Sequence, residues 1–387
     1  MSWRVRKLGE FITVKHGWAF KGEYFSGSGK YILLTPGNAY EHGGLKLRPG
    51  KEKFYLGEFP PEYLMKTGDM LVIMTDLIQA APILGGALVV PEDDRFLHNQ
   101  RLGLVEYLQD SPIDKGFLYY LLNSPAYREQ IKGSATGATV RHSAPKRICD
   151  CSVLVPDTLA EQQQVAQVLS AYDDLISTNQ CRIALLEESA RLLYREWFIN
   201  LRFPGFELVK RIDGIPEGWS RERLDSALLL QRGFDLPNGV RKPGSIPIYA
   251  SAGINGYHSD AKVKGPGVVT GRSGTLGLVH YVPCDFWPLN TSLWVKEFRR
   301  VTPLFAYFML SEMNLAQYNS GASVPSLDRK VVHPVEILIP PGRVIGQFDE
   351  YVGPLFEQVE YLREANLQAA DARDALLPQL MSGAIRV

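Results

Sequence analysis

The segment Thr270-Gly271-Arg272-Ser273-Gly274-Thr275-Leu276-Gly277 joins three glycines, one guanidinium and hydroxyl side chains directly behind the apolar run 267–270. Glycines of this density let backbone come close to a ligand, and Arg272, Ser273 and Thr275 offer donors suited to phosphate oxygens or to the edge of a guanine. A tight turn without a ligand has the same composition, so both readings stand. The segment has neither the G-K-[ST] of a phosphate-binding P-loop nor the G-x-G-x-x-G spacing of a dinucleotide site. Further cations group along the chain: Lys46, Arg48, Lys51 and Lys53; Arg141, Lys146 and Arg147; Arg221, Arg223, Arg232, Arg241 and Lys242; Lys262 and Lys264; Arg329 and Lys330. Such groups supply phosphate contacts and a salt-dependent affinity for duplex DNA, although any single one is equally compatible with solvated surface. The residues expected to contact DNA are Lys46, Arg48, Arg141, Lys146, Arg232, Arg241, Lys242, Arg272, Ser273, Thr275, Arg329 and Lys330.

Signatures of catalysis are missing. The chain has no nucleophile elbow, no H-E-x-x-H, no Asn-Pro-Pro-aromatic sequence of the kind that holds a flipped base, and no glycine-rich cofactor fingerprint. The seven histidines (His16, His42, His98, His142, His258, His280 and His333) are scattered without metal-ligand spacing, and Glu92-Asp93-Asp94 reads as a solvated turn. Of the four cysteines, Cys149 and Cys151 form a lone C-x-C, with no second pair to complete a zinc site, so Cys149, Cys151, Cys181 and Cys284 read as reduced structural thiols. Neither a cofactor nor a metal is expected, and any chemistry on DNA falls to other chains.

Those side chains need a framework, and 387 residues with 45% hydrophobic side chains are enough for two globular units. No apolar run reaches the roughly 18 residues of a membrane span. The start, Met1-Ser2-Trp3-Arg4-Val5-Arg6-Lys7, has no apolar stretch behind its cations, which points to a cytoplasmic protein. The 42 Lys and Arg balance 42 Asp and Glu, but unevenly: residues 1–156 carry net +3, 157–200 net −4, 201–340 net +4 and 341–387 net −3.

The two basic segments are copies of one design. Trp3, Leu8, Gly17 and Trp18 recur at one offset as Trp219, Leu224, Gly233 and Phe234, and Phe11 to Val14 aligns with Ala227 to Leu230. A second constant offset joins Gly137-Ala138-Thr139-Val140 to Gly321-Ala322-Ser323-Val324, Lys146 to Lys330 and Val155-Pro156 to Ile339-Pro340. The offsets differ by 32, so the first copy carries about that many extra residues in its middle. Both copies read as mixed α/β. Short strands are expected at 31–34, 70–74, 87–90, 267–270 and 335–339, and helical pieces at 117–122 and 302–312.

Behind each copy comes a gapless apolar seam. From Leu159 to Trp197 there is no Gly or Pro, and Val165, Leu169, Tyr172, Ile176, Asn179, Ile183, Leu186, Ala190, Leu193 and Trp197 alternate steps of four and three, the spacing of a long coiled-coil helix. The C-terminal stretch repeats it with Leu355, Val359, Leu362, Asn366, Ala369, Leu376 and Leu380, less regularly at its start because Pro354 should begin or end a helix there. Asn179 and Asn366 interrupt the seams, either meeting to fix register or turning to solvent. With 202–219 as a loop-rich linker, the division is residues 1–156, 157–200, 201–340 and 341–387, alternately globule and helical spacer. The fold class is α+β, with two similar mixed α/β domains separated by two long antiparallel coiled-coil helices.

Several of these segments resemble one known family. Thr158-Leu159-Ala160-Glu161-Gln162-Gln163 and Ala190-Arg191-Leu192-Leu193-Tyr194-Arg195-Glu196-Trp197-Phe198 are similar to the first central helical region of the specificity subunit of type I restriction-modification systems. Ile215-Pro216-Glu217-Gly218-Trp219 resembles the start of that family's second target-recognition domain. Gly271 to Gly277, Trp287-Pro288-Leu289-Asn290 and Asn319 to Pro325 resemble the domain's interior, and 373–383 its closing helix. The likeness is weakest over 21–132, and no Pro-x-Gly-Trp precedes Trp3. The resemblance implies a non-catalytic adaptor in which 1–156 and 201–340 are target-recognition domains that each read half of a split, asymmetric site in double-stranded DNA. It also implies paired helices that hold them apart and dock two methyltransferase subunits, with restriction and translocase subunits joining. Two other classes compete: a two-headed scaffold for a ligand other than DNA, and a stand-alone DNA methyltransferase or nuclease, which the missing motifs disfavour.

Overall fold

A computed structural model describes residues 3–109 and 111–386. Met1, Ser2, Asp110 and Val387 lie outside the described residues, so part of the N-terminal stretch read as leaderless lies outside them too. The chain divides into two compact units, Met1–Thr178 with Ala365–Val387, and Asn179–Glu364.

In the first unit the strand Trp3–Lys7 pairs antiparallel with Ser152–Pro156, so the two ends of the globular segment are zipped together. A four-stranded antiparallel sheet follows in the order Ile12–His16, Leu102–Tyr107, Met70–Ile73, Ala87–Val89. Met70 to Ile73 are buried on both faces, which is why that strand reads as an unbroken apolar run instead of an alternation. A second sheet is ordered Phe25–Ser26, Phe54–Tyr55, Tyr31–Leu34, Phe96–His98, with its last pair parallel. The Asp114 carboxylate accepts from the Phe117 backbone N–H at 2.9 Å and so starts the helix Lys115–Asn123. The helix Pro125–Ser134, with proline in its first turn, had no signal in the apolar pattern.

The second unit repeats this plan. Ser220–Arg223 pairs antiparallel with Glu336–Ile339, and the main sheet runs Leu228–Arg232, Ser292–Phe298, Gly267–Gly271, Val279–Val282. Its smaller sheet runs Gly253–His258, Ile246–Ala250, Trp287–Pro288, again ending on a parallel pair. Thr302 caps the helix Pro303–Glu312. Among the described residues no sheet closes into a barrel. The segment after Arg202 is less irregular than its composition suggests, because Arg211–Ile212 and Ile215–Pro216 form a small antiparallel hairpin.

The recurring Gly17 and Gly233 have one cause. Trp18 bridges Asn99 and Phe234 bridges Leu289, and these crossings bring the glycine against the partner strand's backbone. A Cβ on Gly17 would lie 2.2 Å from the Asn99 carbonyl oxygen, and one on Gly233 would lie 2.1 Å from that of Leu289. Only glycine fits either place.

The seams lie in two long helices, Leu159–Tyr194, closed by one π-helical turn at Arg195–Ile199, and Gly342–Met381. Thr158 and Glu161 form the capping pair that opens the first, with the Glu161 N–H donating to the Thr158 hydroxyl at 3.3 Å. Gln162 is buried behind it: its Oε1 accepts from Asp114 N, and its Nε2 donates to the carbonyls of Pro112 and Pro156. Along this helix Val165, Leu169, Asn179, Ala190 and Trp197 are buried and Tyr172, Ile176, Ile183, Leu186 and Leu193 half-buried. On the second, Val359, Leu362, Ala369 and Leu380 are buried and Leu355, Asn366 and Leu376 half-buried.

Within the first unit the helix segments run antiparallel: Asn366 Nδ2 donates to the Ile176 carbonyl at 3.4 Å, and Arg373 pairs with Asp173 at 2.5 Å, while Leu380 and Met381 share a core with Val165 and Leu169. Within the second unit the same sense holds, with Arg363 on Glu187 at 2.6 Å and Phe348 against Tyr194 and Trp197. Asn179 is 3% exposed, which removes the solvent-facing alternative for that residue.

Pro354 departs from expectation. It neither begins nor ends a helix but sits exposed inside Gly342–Met381. Its missing N–H costs one rung of the helical ladder. The helix continues because Val344, Ile345, Phe348, Val352 and Phe356 bury one continuous face into the second unit's core.

Candidate nucleic-acid interface

Three of the expected DNA contacts converge in the second unit. Arg232 at the end of its strand, Arg272 in the glycine-rich turn and Arg329 at the start of a short helix line one cleft of about 310 Å³, together with Ser320, Ser326 and Asp328. The turn that carries Arg272 is pinned on both sides. Arg272 N and Ser273 N both donate to the Thr291 carbonyl, at 2.9 and 3.0 Å, Leu327 N donates to the Arg272 carbonyl at 2.8 Å, and Gly274 N to the Pro325 carbonyl at 2.9 Å. A Cβ on Gly271 would fall 1.9 Å from the Thr275 carbonyl oxygen, so this glycine serves the turn itself. The two readings of the loop are therefore compatible: glycines make the tight turn, and the turn presents the guanidinium.

That guanidinium is oriented through a polar chain. Arg272 Nη1 donates to the Asn290 carbonyl at 3.0 Å, Asn290 Nδ2 donates to Asp235 Oδ1, and Asp235 lies 3.7 Å from Arg232. Asn319 Oδ1 accepts from Gly321 N at 3.0 Å and Ser326 N at 2.9 Å, holding the facing loop. Arg232 and Arg329 are exposed and Arg272, Ser273 and Thr275 half-buried, so a cationic, donor-rich recess opens to solvent. Lys330 is exposed beside it, its backbone N–H held by Asp328. Arg241 is committed to the carbonyl and side chain of Asn255, while Lys242 next to it is exposed. Neither lines the cleft.

In the first unit the expected residues are dispersed. Lys46 places its ammonium 5.3 Å above the Tyr40 ring, and Arg48 and Lys146 are exposed. Arg141 is turned inward, with Nη2 donating to the Lys132 carbonyl at 2.7 Å.

The place that corresponds to the Arg272 turn is identified by matching bonds. Met74 N donates to Arg101 O at 3.0 Å and Ser143 N to Met74 O at 2.8 Å, as Arg272 does with Thr291 and Leu327. Here Met74, Thr75 and Asp76 are all buried. Two charged residues that spacing did not reveal hold this region. The Asp76 carboxylate accepts from Ile78 N at 3.0 Å and Ile83 N at 2.8 Å, and Arg128 donates to the carbonyls of Glu41, at 2.8 Å, and Pro82. Burial pushes the Arg128 guanidinium pKa down, and the nearby Asp76 and Glu41 carboxylates oppose that shift. Its partners lie 87 and 46 residues away, so no local pattern could have marked it.

Known proteins share both the sequence and the architecture. Residues 1–188 match the family model for the type I restriction modification DNA specificity domain. The chain is 28% identical over 301 residues to the specificity subunit of the type I restriction enzyme MjaIX of Methanocaldococcus jannaschii, a stretch covering 70% of this chain and 69% of that protein. It is 23% identical over 216 residues to the MjaVIII specificity subunit of the same organism, covering 55% of this chain and 48% of the relative. Among solved structures, the S subunit of a type I restriction-modification system from M. genitalium shares the fold with a TM-score of 0.57 at 18% identity, over 98% of this chain and 96% of that one.

Proposed function

The chain belongs to the DNA-specificity subunits of type I restriction-modification systems, and from that premise we propose that it reads a bipartite, asymmetric target in double-stranded DNA. Specificity subunits are not catalytic. Residues 1–156 and 201–340 act as the two target-recognition domains, and 157–200 with 341–387 as helical spacers that also dock two methyltransferase subunits. Restriction and translocase subunits complete the cytoplasmic assembly.

The observation that carries this reading is the duplicated scaffold with unlike residues at corresponding places. The second unit presents Arg272 in a cleft with Arg232 and Arg329, whereas the first holds Met74, Thr75 and Asp76 there. One framework with two chemistries suits two different short sequences. The three arginines supply bidentate donors for guanine O6 and N7 or for phosphate, and the remaining exposed cations supply phosphate contacts. The spacers' net negative charge keeps them off the DNA and available to protein partners.

The test is to map modified sites in DNA from cells expressing the complete system with the natural chain or with Arg272→Ala. Modification should fall on a split, non-palindromic motif, and the variant should relax or lose one half of it only, at a cost of about 1–3 kcal/mol for a lost bidentate contact. A single continuous motif, or equal damage to both halves, refutes the assignment.

A further inference from the structure

The first unit holds two aliphatic side chains in solvent on a hydrogen-bonded loop. Leu77 and Ile78 are 57% and 58% exposed, directly after the buried Asp76. The loop is braced from beneath. Asp76 accepts from the backbone of Ile78 and Ile83, Arg128 donates to Pro82, and Ala81 N donates to Ile78 O at 2.9 Å. Ala81 has φ of +49°, a left-handed conformation that a non-glycine residue adopts only when its surroundings impose it. Buried charge and backbone strain are thus both committed to presenting an apolar tip to water.

Position says what meets it. The tip lies just beyond Met74, which takes the place of Arg272 and whose N–H donates to the carbonyl of the exposed Arg101. An apolar pair at the place where the second unit presents a guanidinium suits a duplex groove, where the apolar feature of a base edge is the thymine C5-methyl group. We propose that Leu77 and Ile78 are specificity-determining residues that contact thymine methyl groups in the half-site read by the first unit. The proposal rests on DNA recognition as set out above and deepens it: where the second unit selects with guanidinium donors, the first selects with aliphatic contact.

Replacing thymine by uracil removes the methyl group and leaves every base-pairing group in place, so it isolates the contact. The full chain, assembled with its methyltransferase subunits, is titrated with target duplexes carrying thymine or uracil in either half-site; exchange of residues 1–156 identifies the half read by the first unit. Uracil there should weaken binding about fourfold per methyl contacted, and uracil in the other half should have no such effect through this loop. The double variant Leu77→Ser/Ile78→Ser, altered only at exposed positions, should bind more weakly and no longer distinguish thymine from uracil. A natural chain indifferent to uracil, a variant as sensitive as the natural chain, or a first half-site without thymine overturns the proposal. Failure to bind any target duplex would overturn DNA recognition itself, and this contact with it.

Discussion

Charged residues do opposite things in the two units, and burial decides which. Arg272 keeps its guanidinium at an open recess, while Arg128 and Asp76 spend their charge inside the first unit, bonding to backbone. His98 shows the same effect on titration. It is fully buried, its Nε2 lies 2.9 Å from the Leu102 carbonyl and must donate to it, and burial holds its pKa down to about 4. A histidine depressed in the folded state takes up a proton more readily once unfolded, so its contribution is intact above about pH 6.5 and is lost as pH falls toward 4. The first unit should therefore lose up to roughly 3 kcal/mol between pH 6.5 and 4 through this residue. His98→Gln should flatten that slope in denaturant titrations, and an equal slope in the variant would show that another group is responsible. At this scale the sequence identified Arg232, Arg272 and Arg329 as cations, but their convergence brings together a strand end, a turn and a helix start that lie 40 and 57 residues apart along the chain.

Among the elements, the long helices were the most legible because a seam of alternating three- and four-residue steps is a local property. The opening of the first could also be read, since Thr158 and Glu161 act within one turn of each other, whereas Gln162 also reaches Asp114 and Pro112, which are remote along the chain. Pro354 was misleading for a physical reason: proline's preference is local, whereas Val352 and Phe356 on either side of it are buried in a distant core. Pro354→Ala restores the missing helical N–H, and should raise stability by about 1–2 kcal/mol, the helix gain being offset in part by a freer unfolded chain. A denaturant midpoint that stays put or falls would mean that the helix is adapted to its proline. The parallel strand pairs Tyr31–Leu34 with Phe96–His98 and Ile246–Ala250 with Trp287–Pro288 were not legible, because their partners are remote in sequence.

At the scale of the molecule, duplication governs the fold, and the proposed two-part reading of DNA follows from it. If each recognition unit reads its half alone, replacing residues 1–156 by another domain of this family should change one half of the modified motif and leave the other unchanged. Mapping of modified sites decides this, and a concerted change in both halves would reject independent reading. The sequence by itself determined the repeat, the alternation of basic globules with acidic helices and the mixed α/β class, because constant offsets, charge and periodicity are properties of the chain order. It even marked Gly17 and Gly233, although the reason, a carbonyl oxygen too close to admit a Cβ, belongs to the folded state. Only the tertiary structure decided that three scattered arginines share one cleft, that Asn179 is buried, and that the first unit replaces this cleft's turn with a braced apolar loop. Those features depend on which remote carbonyls and strands meet, and a linear pattern carries no record of distance in space.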